Sequence, residues 1–144
     1  MSDDSPSAFS FHDLAPAIAL ALVWLWIQYW LPQLPARVPA HWDAAGRVNG
    51  WIAPEALFRI PLWLGGGIWC LLFLIGLALR DQPQAPAFQA IRGWVVAGVV
   101  LMTGYLGPMA AIQGQGAVLP ALGLLMGCLL TGIVLAVRLV MNPD

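Results

Sequence analysis

Four long apolar runs, separated by polar connectors, dominate the hydrophobic pattern of this 144-residue chain. Each run is 18 to 21 residues long, contains no charged residue and shows neither the polar stripe of a soluble helix nor the alternation of a strand. With about 1.5 Å of rise per residue, each run can cross a hydrocarbon core about 30 Å thick. The pattern predicts transmembrane helices over residues 14–31, 60–79, 93–112 and 117–137.

The fold class predicted from this layout is an all-α integral membrane protein with four transmembrane helices. We expect a single membrane domain over residues 1–144, with an ordered Pro/Gly-rich loop between the first two helices. The connecting segments are an N-terminal tail at 1–13, the long loop at 32–59, a short polar loop at 80–92 and a C-terminal tail at 138–144.

Composition supports the membrane assignment and excludes other classes of protein. Hydrophobic residues make up 60% of the chain and charged residues 9%, whereas roughly a quarter of the residues in soluble domains are charged. Disordered chains have the opposite balance of polar and apolar residues. A net charge of -1 gives no basic surplus for nucleic acid. The lipid bilayer is therefore the first expected partner, and nucleic acid is not one.

The predicted spans contain no acidic, basic or histidine residue. Transporters and pumps usually place an ionisable group inside the membrane, so this pattern argues against ion-coupled transport. In the fourth span, Gly123, Gly127 and Thr131 recur at every fourth position, a small-residue pattern that favours close helix packing. Packing within the bundle and formation of a homo-oligomer are both open at this point.

The loop at 32–59 carries five of the 13 charges and most of the turn signals. Asp43, followed by two alanines and Gly46, predicts a capped turn. Asn49-Gly50 is a dipeptide typical of tight turns. We therefore expect the loop to form a compact, ordered cap over the mouth of the bundle.

His41 and Asp43 are the candidate ligands in this loop, but zinc usually takes at least three protein ligands. The loop has no Ser, Thr or Cys, so a hydrolytic triad cannot be built within it. We accordingly predict no metal, no cofactor and no enzymatic activity. Two interpretations stay open: these side chains hydrogen-bond the loop backbone and hold its turns, or the loop recognises a partner, with Arg37, Trp42 and Trp51 as anchors.

The segment 34–51 resembles a bacterial membrane family called domain of unknown function 1648. That family carries a Leu-Pro, then a Pro-x-His followed by an aromatic residue, then a glycine, a polar turn and a second aromatic residue. Its pattern follows a first transmembrane helix, as the segment does here. The positions that carry the resemblance are Pro35, Pro39, His41, Trp42, Gly46, Gly50 and Trp51.

The resemblance implies a multi-pass protein of the bacterial cytoplasmic (inner) membrane with its first loop outside and both termini in the cytoplasm. The arginines alone divide equally between the two sides and set no orientation. The best-known relatives in the family are immunity proteins against a sporulation-delaying peptide toxin. This chain departs from them in having fewer predicted spans and no Gly-x-Arg-Thr-type motif.

Three functions are open from the sequence. The leading hypothesis is a non-enzymatic protein whose loop recognises a peptide or a membrane protein, in immunity or signalling. The second is an accessory subunit of a larger membrane complex, and the third is a membrane enzyme or transporter with a site beneath the loop. Residues expected to bind the partner or to order the loop are Pro35, Arg37, Pro39, His41, Trp42, Asp43, Gly46, Gly50 and Trp51.

Overall fold

A computed structural model describes residues 11–45 and 47–141. Four helices are long and apolar enough to span a membrane, which confirms the predicted all-α, four-span fold class. The only two strands in the described part of the chain pair as an antiparallel hairpin between the first and second helices. The elements are α1 (Leu14–Trp30), β1 (Val38–Trp42), β2 (Val48–Ile52), α2 (Arg59–Ala78), α3 (Ala85–Gln113) and α4 (Val118–Met141).

The third helix differs most from its predicted bounds, because it begins at Ala85 instead of residue 93. Pro86 occupies the first turn of α3, where a missing amide hydrogen costs little. The charge of Arg92 ended the apolar run, but a charge does not end a helix. The predicted loop at 80–92 is therefore wrong for its last eight residues. Arg92 lies two turns inside the helix.

α3 is the central helix of the bundle. It packs against α1, α2 and α4, whereas α1 and α2 make few contacts with each other. In the most apolar 18-residue stretch of α3, half of the residues are buried. The corresponding fraction is about a fifth in each of the other three helices. A helix buried on several sides needs small side chains at its contacts, and glycines supply them here.

Glycines of α3 allow the neighbouring helices to approach closely. A Cβ added at Gly104 would overlap the Val23 side chain of α1. A Cβ at Gly98 would lie 2.9 Å from the Cβ of Cys128 in α4. The packing distances of α1 and α4 from α3 thus depend on the absence of a side chain at these two positions.

The small-residue pattern of α4 points away from the other described helices. A Cβ at Gly123 or Gly127 would meet nothing within 4 Å. Thr131 is exposed, and its hydroxyl donates a hydrogen bond of 2.8 Å to the carbonyl of Gly127 in its own helix. The buried residues of α4 lie on a different face: Ala121, Gly132 and Ala136. Within the described chain the Gly123 face packs no helix, and its role in an oligomer stays a prediction.

Asp13, immediately before α1, forms a buried ion pair with Arg92 of α3. Nη2 of Arg92 lies 2.5 Å from each Asp13 carboxylate oxygen, and Nε lies 3.0 Å from Oδ1. The two side chains are 2% and 1% exposed. Both charges are therefore removed from solvent and satisfied mainly by one another.

The second helix shapes the environment of the same guanidinium. The Arg92 carbon Cζ lies 5.1 Å from the centroid of the Phe73 ring, which is the geometry of a cation–π contact. A Cβ at Gly76 would lie 2.7 Å from Nη1 of Arg92. The buried guanidinium of Arg92 in α3 thus lies between Asp13, which precedes α1, and the helix α2. The expectation that the spans hold no charged side chain is wrong for α3.

We predict that Arg92→Ala lowers the free energy of unfolding by about 3–5 kcal/mol, because it leaves the Asp13 carboxylate buried without its main partner. Thermal unfolding in detergent, followed by circular dichroism, measures the loss. The matched control is Arg80→Ala, which breaks only the exposed Arg80–Asp81 pair and should cost about 0–1 kcal/mol. Equal losses in the two variants would contradict a structural role for the buried pair.

A second pair of variants tests the helix contacts. Gly104→Ala should destabilise the bundle by about 1–3 kcal/mol, because the added methyl group overlaps Val23. Gly123→Ala adds the same group in open space, where alanine's higher helix propensity should leave stability unchanged or raise it by up to about 1 kcal/mol. The unfolding temperatures of the two variants, compared with that of the wild type, are the measurement. A Gly104→Ala protein as stable as Gly123→Ala would mean that α1 does not pack closely on α3.

Candidate functional site

The predicted cap is a β-hairpin over residues 38–52. Val38 pairs with Ile52 and His41 with Gly50, and the register shifts on either side of His41. Asn49-Gly50, expected as the tight turn, lies instead within β2. The chain reverses between Asp43 and Arg47, because the Asp43 side chain supplies the hydrogen bonds that close a turn there.

Asp43 holds this turn through both carboxylate oxygens. Oδ1 accepts hydrogen bonds of 2.9 Å from the backbone N–H groups of Ala45 and Arg47, and Oδ2 accepts one of 3.0 Å from Arg47 Nε. The Asp43 N–H donates to the Arg47 carbonyl at 2.8 Å. The Arg47 backbone N–H is the largest cause that lowers the pKa of Asp43, and partial desolvation opposes it. Of the two interpretations left open for Asp43, the structure favours the one in which it orders the loop.

His41 is exposed on β1 and is oriented by a residue that the sequence analysis did not select. Its Nδ1–H donates a hydrogen bond to the side-chain carbonyl of Asn49, across the hairpin on β2. This bond leaves Nε2 of the neutral ring as an acceptor. Gly50 is required opposite it, since a Cβ there would lie 2.8 Å from the His41 Cβ. Asn49 was missed because Asn-Gly was interpreted as a turn.

The hairpin is fixed to the bundle through its first strand. Val38 is fully buried in one apolar cluster with Ile27 of α1 and Val100 of α3. Leu57, just before α2, belongs to the same cluster and contacts α3 at Gly107, where a Cβ would lie 2.5 Å from the Leu57 Cδ2. The hairpin is thus anchored at the end of the bundle where α1 ends and α2 begins.

The predicted partner-binding residues divide into three groups. Pro35, Arg37, His41 and Trp51 are exposed, whereas Pro39 is buried and Asp43 and Gly50 are half-buried. The side chain of Trp42 is not described, and Gly46 lies outside the described residues, as do 1–10 and 142–144. On the outer face the Trp51 side chain is 54% exposed and that of Arg47 81%. These two side chains and His41 form the accessible face of the hairpin.

Metal chemistry gains no support from the grouping of side chains. Over 11–45 and 47–141, no group of three or more His, Cys, Asp or Glu residues is placed to hold a metal ion. Within the hairpin, the Asp43 carboxylate is already bonded to two backbone amides and to Arg47. On the accessible face, Arg47 and His41 can form hydrogen bonds with a partner, and the indole of Trp51 can become buried against it.

A family model matches part of the chain. Residues 17–65 match the model of a family described as Domain of unknown function (DUF1648). The match runs from α1 across the hairpin into α2, so the matched unit is helix–hairpin–helix. No curated protein and no solved structure matches the chain. The match supports the DUF1648 family for this segment, and together with the four apolar helices it fits a multi-pass membrane protein.

The lowered pKa of Asp43 leads to a pH prediction. The ionised carboxylate orders the turn, so its contribution is complete above the unfolded pKa of about 3.9 and is lost as the pH falls through the lower folded pKa. We expect amide protection over residues 43–47 to disappear in that acidic range in the wild type, and to be absent at neutral pH in Asp43→Ala.

Hydrogen–deuterium exchange of the peptide covering residues 38–52 is the measurement. Glu55→Gln, an exposed carboxylate change outside the hairpin, is the control and should retain the wild-type profile. If Asp43→Ala kept full protection at neutral pH, the turn would be held by the strands alone.

Proposed function

We propose that this protein is a non-enzymatic membrane protein that recognises a peptide or another membrane protein through the hairpin at residues 38–52. The role would be peptide-toxin immunity or signalling at the bacterial cytoplasmic (inner) membrane. One observation carries the proposal: the hairpin is anchored in the core by Val38, yet it presents His41, Arg47 and Trp51 outward.

The chemistry of the accessible face suits recognition. Trp and Arg are the residues most enriched among energetically dominant interface positions. Trp51 offers an indole that is half exposed while its strand is held by β1, so little conformational freedom is lost on binding. His41 adds a directed acceptor, because Asn49 fixes its ring orientation. These features supply contact area and directional bonding without a nucleophile or a metal.

The proposed orientation places the hairpin outside the cell and both termini in the cytoplasm. In the structure, α1 ends and α2 begins at the hairpin, and four successive spans return the chain to the side on which α1 starts. This arrangement supports a common side for the two ends of the described chain. The family resemblance supports the choice of the cytoplasm for that side.

Deletion of the gene should sensitise cells to a membrane-active peptide, and plasmid-borne wild type should restore resistance. We expect Trp51→Ala to fail in this complementation, because the exposed indole of the hairpin is lost. Trp63→Ala is the matched control: Trp63 is an exposed indole on α2, outside the hairpin sequence, and its removal should leave resistance intact. Survival curves and membrane abundance of each variant are the readouts.

The proposal fails if deletion changes killing by no peptide tested, including those that the same strain secretes. It also fails if Trp51→Ala protects as well as wild type at equal abundance. Loss of protection by both tryptophan variants would indicate a general folding defect, so exchange protection of residues 38–52 must be shown to be intact in each.

The second candidate function is an accessory subunit of a larger membrane complex. It is favoured by the Gly123–Gly127 face of α4, which is open to close helix approach and packs against nothing in the described chain. Purification in mild detergent separates the candidates, because an accessory subunit should leave the membrane with its complex. A single monomeric species argues against this candidate and leaves hairpin recognition intact.

A further inference from the structure

The two edges of the hairpin differ in how they are covered. β1 is the strand that contacts α3, and it carries Pro39, which has no backbone N–H to offer to a further strand. β2 pairs with β1 alone and makes no comparable contact with any described helix. It contains neither a proline nor a charged residue, which are common means of blocking an edge strand. The outer edge of β2 is therefore the open one.

The backbone groups of Trp51 point toward this open edge. Opposite residues in an antiparallel pair alternate between those that exchange two hydrogen bonds and those whose N–H and C=O groups point away from the partner strand. Pro39 lies opposite Trp51 and has no N–H, so this pair cannot exchange two bonds. The N–H and C=O of Trp51 thus point away from β1, and no described residue is hydrogen-bonded to them.

Ala53 continues the edge just past the end of β2. Its backbone is extended, with φ -69° and ψ 142°, so its N–H points to the same side as that of Trp51, two positions earlier. Its carbonyl accepts the N–H of Ala56 at 2.9 Å, whereas its own N–H donates to no described residue. The edge thus offers two donors and one acceptor at the spacing of a regular strand.

An irregular register limits what can pair with this edge. The Asp43 N–H donates to the Arg47 carbonyl, and such a bond flanks a pair that is not itself hydrogen-bonded, here the pair formed by Val48. The backbone groups of Val48 therefore also point outward, but three positions from Trp51 instead of two. A regular strand can follow the edge only from Trp51 toward Ala53. This favours a short extended segment over pairing along the whole hairpin of a second copy.

Charges at its two ends give the edge a direction. Arg47, whose side chain is 81% exposed, immediately precedes β2, and the exposed Glu55 follows it. An added strand that runs antiparallel to β2, the slightly more stable arrangement, has its C-terminal end toward Arg47 and its N-terminal end toward Glu55. The complementary segment has a basic residue at its N-terminal end and an acidic residue at its C-terminal end.

We propose that the outer edge of β2 binds a short extended peptide segment as an antiparallel third strand. The segment accepts hydrogen bonds from the N–H groups of Trp51 and Ala53 and donates one to the Trp51 carbonyl. Its basic end lies toward Glu55 and its acidic end toward Arg47. This inference rests on the recognition role proposed for the hairpin, and it specifies the partner as an extended segment held mainly through its backbone.

A synthetic probe peptide tests this pairing on the full chain in nanodiscs. The probe is Lys-Thr-Val-Thr-Val-Thr-Glu with blocked ends, and surface plasmon resonance measures its affinity. One control has the same residues in reverse order, and the other is N-methylated at every residue. We expect the reversed peptide to bind about threefold more weakly, because its charges oppose like charges. The N-methylated peptide should not bind, because it has no N–H groups to donate and its methyl groups block the edge.

One substitution removes a single donor from the edge. Ala53→Pro deletes the outward N–H, and the native φ of -69° suits a proline ring, so the hairpin ladder is left intact. We expect it to weaken binding of the probe about fivefold, as the loss of one hydrogen bond implies. Ala53→Val keeps the N–H and is the matched control, which should bind the probe as the wild type does. Exchange protection over residues 38–52 shows that both variants retain the hairpin.

Three outcomes overturn the proposal. Equal binding of the probe and its N-methylated form would mean that the backbone of β2 takes no part. Equal affinity of Ala53→Pro and Ala53→Val would remove the donor at this position from the site. Slow exchange at Trp51 and Ala53 without the probe, in nanodiscs whose mass contains two copies, would assign the edge to a second copy of this chain.

The proposed function and the strand pairing fail in different ways. If Ala53→Pro restores resistance to the deletion strain and Trp51→Ala does not, the hairpin recognises its partner through side chains, and only the strand pairing is overturned. If deletion leaves killing unchanged while the probe binds as expected, the edge binds extended peptides, and the immunity role is the part that is wrong.

Discussion

The packing of α1 along α3 determines where the hairpin lies on the bundle. The Asp13–Arg92 pair fixes one end, and close approach of Val23 to Gly104 fixes the middle. An unpaired charge buried there would cost several kcal/mol, so α1 has little freedom to slide or rotate on α3. This constraint sets the point at which the chain leaves α1 to form the hairpin.

The position of the hairpin follows from that geometry. Ile27, near the end of α1, packs in one apolar cluster with the buried Val38 of β1. β1 therefore lies against the helices, and β2 is the outer strand.

Local signals predicted part of the candidate site. A short side chain that can close its own turn is readable in sequence, and Asp43 does so. The prediction that Asn49-Gly50 forms the turn was wrong. In β2 this dipeptide instead provides a cross-strand hydrogen bond to His41 and a position without a Cβ opposite that residue. Which of these uses occurs depends on strand register, and the register is set by burial of Val38 against the helices.

The sequence by itself determined the number of spans, because a backbone in hydrocarbon must satisfy its hydrogen bonds within its own helix and that requirement is local. Only the tertiary structure decided which faces those helices present to each other. Asp13 and Arg92 are 79 positions apart, and the sequence around each residue does not indicate that the other is its partner. The Gly123 face has the sequence pattern of a packing motif, yet it points outward. The face of α4 that packs against the bundle contains Ala121, Gly132 and Ala136 instead. The rotation of each helix about its axis depends on its contacts with all neighbouring helices, so it cannot be predicted from the sequence of that helix alone.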